Sequence, residues 1–182
     1  LKDRGFKSPV NLGIGASEVV LLNAAFGKEN GRDVVYATAN GGVFNVVDVK
    51  DNKLIFSQQL AKVSQVWSHT IASNGTVYIA ALGEGNVGEL WSYSPTTKIV
   101  EKLGTPNAGH QAWSSTTDDN GNAYIGTYAE GDGRIYKYDG ATKSFVDFGK
   151  IDADNASYIR SLEYHDGYLY AGLGVEGKVY RI

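Results

Sequence analysis

Few side chains in this sequence are equipped for chemistry. They are His69, His110, Tyr158 and Arg160, with the aromatics Trp67, Trp113 and Tyr128 beside them. Trp67-Ser68-His69 aligns with Trp113-Ser114-Ser115 and, further on, with Ile159-Arg160-Ser161, so His69 and Arg160 are the polar residues that the copies do not share. Difference at one place in a repeated pattern is where an individual role can sit. Arg neutralises a carboxylate, while His or Tyr removes the proton next to it and protonates the leaving oxygen. His69, Tyr158 and Arg160 around one polar pocket would therefore carry lyase chemistry on a uronate. His110, Tyr128, Trp67 and Trp113 would line that pocket, since aromatic faces offer sugar rings a large rigid contact. The competing reading makes His69 a hydrogen-bonded interior residue, Arg160 an ion-pair partner and the two tryptophans packing between repeats.

The remaining motifs read as turns. Asp118-Asp119-Asn120-Gly121-Asn122 is rich in oxygen but lacks the extended spacing and terminal Glu of an EF-hand calcium loop. Its counterparts, Ser73-Asn74-Gly75 and His165-Asp166-Gly167, are hairpin turns. Gly13-Ile14-Gly15 lacks the strand-then-helix setting of a phosphate loop, and no HExxH, GxSxG or Walker motif occurs. The histidines have no metal-ligand spacing, so neither a metal nor a cofactor is expected. Asn74-Gly75-Thr76 and Asn155-Ala156-Ser157 match the glycosylation triplet, a pattern common by chance.

The elements that must position these residues form a repeat. Ala112 to Phe148 holds four short strand-like runs: Ala112–Thr117, Ala123–Thr127, Ile135–Asp139 and Phe145–Phe148, with turn residues between each pair. Earlier copies run Glu18–Ala24, Asp33–Thr38, Gly42–Asp48 and Leu54–Leu60, then Val66–Ala72, Val77–Ala81, Glu89–Tyr93 and Ile99–Leu103. The last copy, Tyr158–Leu162, Tyr168–Gly172 and Lys178–Ile182, has three strands, and Lys7 to Gly13 matches Lys143 to Gly149 as a fourth. Trp67 and Trp113, and Tyr78, Tyr124 and Tyr170, recur at about 46 residues, close to the length of a four-stranded propeller blade. Second strands ending in Ala or Gly let neighbouring sheets approach closely. The pattern predicts one all-β domain, a β-propeller with about 16 strands and no significant helix. Its units are about 17–60, 66–104, 112–149, and 158–182 completed by 7–13. Two arrangements stay open: a closed four-bladed ring whose termini share a blade, or a four-blade piece of a larger ring, open or paired with a second chain.

Composition bounds the rest. Hydrophobic content of 42% with 20% charged residues is that of an ordinary folded domain. The net charge of −3, without a basic run, argues against nucleic acid or an anionic membrane as the main partner, and no apolar run is long enough for a membrane helix. The absence of Cys excludes disulfides and thiolate metal sites. The absence of Met, even at position 1, reads as a mature or trimmed segment and is compatible with secretion.

Three stretches carry a resemblance. Trp113-Ser114 with Asn120 to Thr127, Arg134-Ile135-Tyr136-Lys137-Tyr138-Asp139, and Tyr158-Ile159-Arg160-Ser161-Leu162 resemble the repeats of secreted bacterial propellers in the quinoprotein-like and YVTN-like group. More narrowly, the chain is similar to propeller domains at the front of large bacterial polysaccharide-degrading proteins, some polysaccharide lyases included, which usually carry more than four blades. The resemblance implies an extracellular, carbohydrate-active module that binds an acidic polysaccharide at its channel mouth. The alternative is a non-catalytic scaffold for protein interaction or self-assembly.

Overall fold

The computed structural model describes residues 20–151, 156–174 and 177–182. Within them the chain is all-β, its one helical piece being a 3-10 turn at Glu84–Asn86. Blade 1 holds β1 (Leu21–Glu29), β2 (Arg32–Ala39), β3 (Val43–Asp48) and β4 (Lys53–Gln59). Blade 2 holds β5 (Gln65–Ile71), β6 (Val77–Leu82), β7 (Gly88–Ser94) and β8 (Ile99–Gly104). Blade 3 holds β9 (Gln111–Thr117), β10 (Ala123–Tyr128), β11 (Arg134–Asp139) and β12 (Ser144–Lys150), and blade 4 holds β13 (Ile159–His165), β14 (Tyr168–Leu173) and β15 (Val179–Arg181). Each sheet is an antiparallel meander in chain order. The fourth strand expected for blade 4, residues 7–13, lies outside the described residues. Among the described residues no helix is long and apolar enough to cross a membrane.

One strand differs from expectation. β1 runs on to Glu29, beyond the expected end at Ala24, and joins β2 through the two-residue turn Asn30-Gly31; residues 18 and 19 of the expected strand lie outside the described residues. Both turn residues have positive φ, 50° and 78°, the geometry that matches strand twist in a tight hairpin. Extending the strand carries Glu29 into the interior, where it accepts a hydrogen bond from the Tyr93 hydroxyl at 2.9 Å and pairs with Lys98.

The cores lie between blades, not within them. Val34, Tyr36, Phe44 and Val46 of blade 1 pack against Val77, Ile79, Ala81, Trp91 and Tyr93 of blade 2. Tyr78, Ala80 and Leu90 of blade 2 meet Ala112, Ala123, Ile125 and Tyr138 of blade 3. Tyr124 and Ile135 of blade 3 meet Ile159, Leu162, Leu169, Ala171 and Leu173 of blade 4. Close approach explains the small residues. A methyl group added at Gly126 would sit 2.6 Å from Ile159 Cγ2 of the next blade. The inner strands pack in series, β1 on β5, β5 on β9 and β9 on β13; among the described residues β13 and β1 share no extended contact.

Candidate ligand-binding site at the inner rim

All four inner strands break register at one place. The interruption falls between Leu21 and Ala24 in β1, Val66 and Ser68 in β5, Ala112 and Ser114 in β9, and Ile159 and Ser161 in β13. A bulge inserts a residue that has no cross-strand partner and re-aims its side chain. The inserted residues are Leu22-Asn23, Trp67, Trp113 and Arg160. The sequence alignment above is therefore off by one in blade 4: Arg160, not Ile159, is the counterpart of the tryptophans, and Leu162 is the counterpart of His69. A one-residue slip exchanges the two faces of a strand, so the correction changes which side chains meet.

The bulged residues form a column across three blades. Trp67 and Trp113 stack with centroids 4.4 Å apart and planes 10° apart. On Trp113 lies the Arg160 guanidinium, 4.3 Å from the ring centroid, and the same group sits 4.6 Å over Tyr158. Tyr158 stacks on Tyr128 at 4.3 Å and meets Trp113 edge-on at 5.2 Å. Tyr158 is brought there by an isolated bridge to Tyr128 and by the Ala129 N–H donating to Ser157 O at 3.1 Å. Trp113 Nε1 donates to Gln111 Oε1 at 3.0 Å, which fixes its ring, whereas buried Trp67 Nε1 has no partner among the described residues. The Tyr128 hydroxyl is held above its usual pKa, first by the neighbouring Tyr158 and then by burial. Trp67, Trp113, Tyr128 and Tyr158 are half-buried, and Arg160 is exposed.

The histidines do not join this column. His69 is buried in the seam between blades 1 and 2. Asn23 Oδ1 accepts from both its backbone N–H, at 2.8 Å, and Nδ1, at 2.9 Å, which places the ring proton on Nδ1. Nε2 then accepts the Thr38 hydroxyl at 2.8 Å. Both ring nitrogens are committed, and burial lowers the pKa to about 3. His69 is thus buried and tied across the seam to Asn23 and Thr38, and does not share the expected pocket with Arg160 and Tyr158. His110, also buried, faces Thr127 Oγ1 at 3.0 Å and Asp132 at 3.4 Å, with the Arg134 guanidinium on the far side of Asp132 at 2.9 Å. Burial lowers its pKa, partly offset by Asp132. His110 thus belongs to a network within blade 3, not to the aromatic column. Five of the seven expected site residues converge. Gln111, which orients Trp113, was missed; its place two residues before a tryptophan is the signal that could have found it.

No family model and no curated protein matches the chain. Solved structures do. An auxiliary nutrient binding protein from Bacteroides thetaiotaomicron matches 88% of this chain at 15% identity and TM-score 0.65, with 37% of its own length covered. The Dos1 propeller matches 89% at 20% identity and TM-score 0.68, with 44% of its length covered. The β-propeller domain of Myceliophteria thermophila Cps50 (Swd1) matches 89% at 12% identity and TM-score 0.67, with 53% covered. The chain thus spans about two fifths to one half of the length of these structures. At such identities the likeness speaks to architecture alone: the chain has the β-propeller fold.

Proposed function

We propose that this chain is a binding module of the extracellular carbohydrate-active kind, holding an acidic saccharide at its inner rim without cleaving it. The observation that supports this reading is the convergence of Arg160 with Trp67, Trp113, Tyr128 and Tyr158. The faces of Trp113 are already taken, by Trp67 on one contact and Arg160 on another, so the ligand meets the exposed edges of the column. A guanidinium laid over aromatic rings keeps its N–H edge for a carboxylate and loses little further freedom on binding. The uronate carboxylate would pair with Arg160 while ring C–H surfaces rest on the neighbouring aromatics. A lyase would need a base beside Arg160. His69 is tied elsewhere, so of the expected bases Tyr158 alone stands beside Arg160, with its ring already engaged by that guanidinium and by Tyr128, which favours binding over elimination.

Calorimetry and tryptophan fluorescence with an oligouronate and a neutral oligosaccharide of equal length test this. Arg160→Gln is expected to weaken the oligouronate by about tenfold or more, the worth of a charge-assisted hydrogen bond, and to leave the neutral sugar unchanged. Equal affinity of the native protein for both sugars, or accumulation of unsaturated uronate product, would overturn the reading.

A further inference from the structure

The repeat makes the two outermost blade faces comparable, position by position, with faces that are covered. On blade 1 the row Phe26, Val35, Val47 and Leu54 is joined by cross-strand pairing and faces away from blade 2. Its counterpart in blade 2, Ile71, Val77, Tyr93 and Val100, is the row that packs into the core against blade 1. Phe26 is 62% and Leu54 49% exposed, whereas Tyr93 is fully buried. Blade 1 therefore carries an apolar face of the kind that elsewhere in this chain rests on a preceding blade.

Blade 4 carries the matching half. In blade 3 the inner-strand Ser114 faces Gly126, and Ile159 of the next blade fills the space over that glycine. Ser114 Oγ also donates to Ile159 O at 2.8 Å. In blade 4 Ser161 faces Gly172 in the same way, but the atoms nearest that glycine belong to Ser161 alone, and among the described residues nothing from another blade fills the socket. Val179 pairs with Gly172 as Ile135 pairs with Gly126; Ile135 is fully buried and Val179 is 75% exposed. The residue that could fill the socket exists in this chain. Leu21 pairs with Ala39 just before the β1 bulge, as Ile159 pairs with Leu173 just before the β13 bulge, and it is 51% exposed.

We propose that blade 4 of one copy receives blade 1 of a second copy, with Leu21 seated over Gly172 against Val179 and Ser161 Oγ donating to Leu21 O. The contact is head-to-tail, so it must close into a ring or grow. Two copies give eight blades, within the range that propellers adopt, whereas three would exceed it. Leu22 of the incoming copy, at the bulge, would then continue the column beyond Arg160.

Light scattering on the full chain across a concentration series is the first measurement, with a particle of twice the 19.6 kDa chain mass expected. Leu21→Asp, at a position exposed in the single chain, should raise the association midpoint about tenfold or more through loss of a buried apolar contact, with unchanged circular dichroism. The chain has no cysteine, so engineered thiols report cleanly. Leu21→Cys mixed with Val179→Cys should form a disulfide between copies, while neither variant cross-links alone. A monomer at every concentration, particles larger than two copies, self-linking of either single variant, or a link within one chain carrying both thiols would each overturn the proposal.

Discussion

The seam between blades 1 and 2 and the seam between blades 3 and 4 occupy equivalent places and use different chemistry. In the first, buried polar groups reach across: His69 to Asn23 and Thr38, and Tyr93 to Glu29. In the second, an aliphatic side chain lies over a glycine, Ile159 on Gly126, and the buried hydroxyls bond to backbone: Ser114 Oγ donates to the Ile159 carbonyl and Thr116 Oγ1 accepts from Tyr164 N–H. Thr38 in blade 1 stands where Gly126 stands in blade 3. Where the second strand carries a buried hydroxyl, as at Thr38, the neighbour offers a polar partner; where it carries none, as at Gly126, the neighbour can press its own bulk against the backbone. Buried polar ties reject wrong registers because a misplaced partner leaves donors unpaired. Glycine contacts set how closely the sheets approach.

The glycine seam should break hardest. Gly126→Val must displace Ile159 as well as Ser114, and a loss of about 3 kcal/mol by urea unfolding is expected for such overpacking. A loss below a quarter of that would mean that the blades separate easily. Asn23→Ala strikes the polar seam and strands two donors of His69. Its expected cost is about 2 kcal/mol, the desolvation penalty of unpaired buried groups. Proton binding sharpens the contrast further. Unfolded His69 takes up a proton near pH 6.5 and folded His69 only near 3. Between those values the unfolded state binds more protons, so stability falls as the pH drops, by up to about 1.4 kcal/mol per pH unit for this one group. His110, also lowered, adds to the same slope. The depressed carboxylates, Asp48, Asp118 and Asp139 among them, contribute only at lower pH, so the window from 6.5 to about 4.5 reports the histidines. His69→Asn should flatten that slope; an unchanged slope would remove His69 from the account. The smallest effect separates a covered face from an open one. Ser114→Ala should cost about 1 kcal/mol, and Ser161→Ala, measured where the chain is single, no more than about 0.5 kcal/mol. Equal losses would show that the hydroxyls act within their own blades.

The repeat length, the turns and most of the strands were legible in the sequence because Asn-Gly and Asp-Gly turns and apolar alternation are local signals. Tyr78, Tyr124 and Tyr170 mark one position in three blades and were read as such. The bulges were not legible. They add one residue at the rim, where no buried face enforces the alternation, so Arg160 was set against the wrong neighbours although its nearness to Trp113 and Tyr158 was anticipated in outline. For His69 the sequence leaves two readings open, a base in a polar pocket or a hydrogen-bonded interior residue, and it does not choose between them. The partners of His69, Asn23 and Thr38, lie in a different blade, and nothing local distinguishes a histidine tied across a seam from one that faces a channel.

β6 is buried at every one of its six residues, with blade 1 on one side and blade 3 on the other. Because among the described residues the strands of each blade pack extensively against neighbouring blades alone, unfolding free energy accrues link by link there, as in a one-dimensional array. The amides of Val77–Leu82 should consequently be the last to exchange with deuterated solvent, and protection should decline outward toward β1 and β15. The molecule therefore opens from its ends, and any contact that covers an end lengthens the cooperative unit.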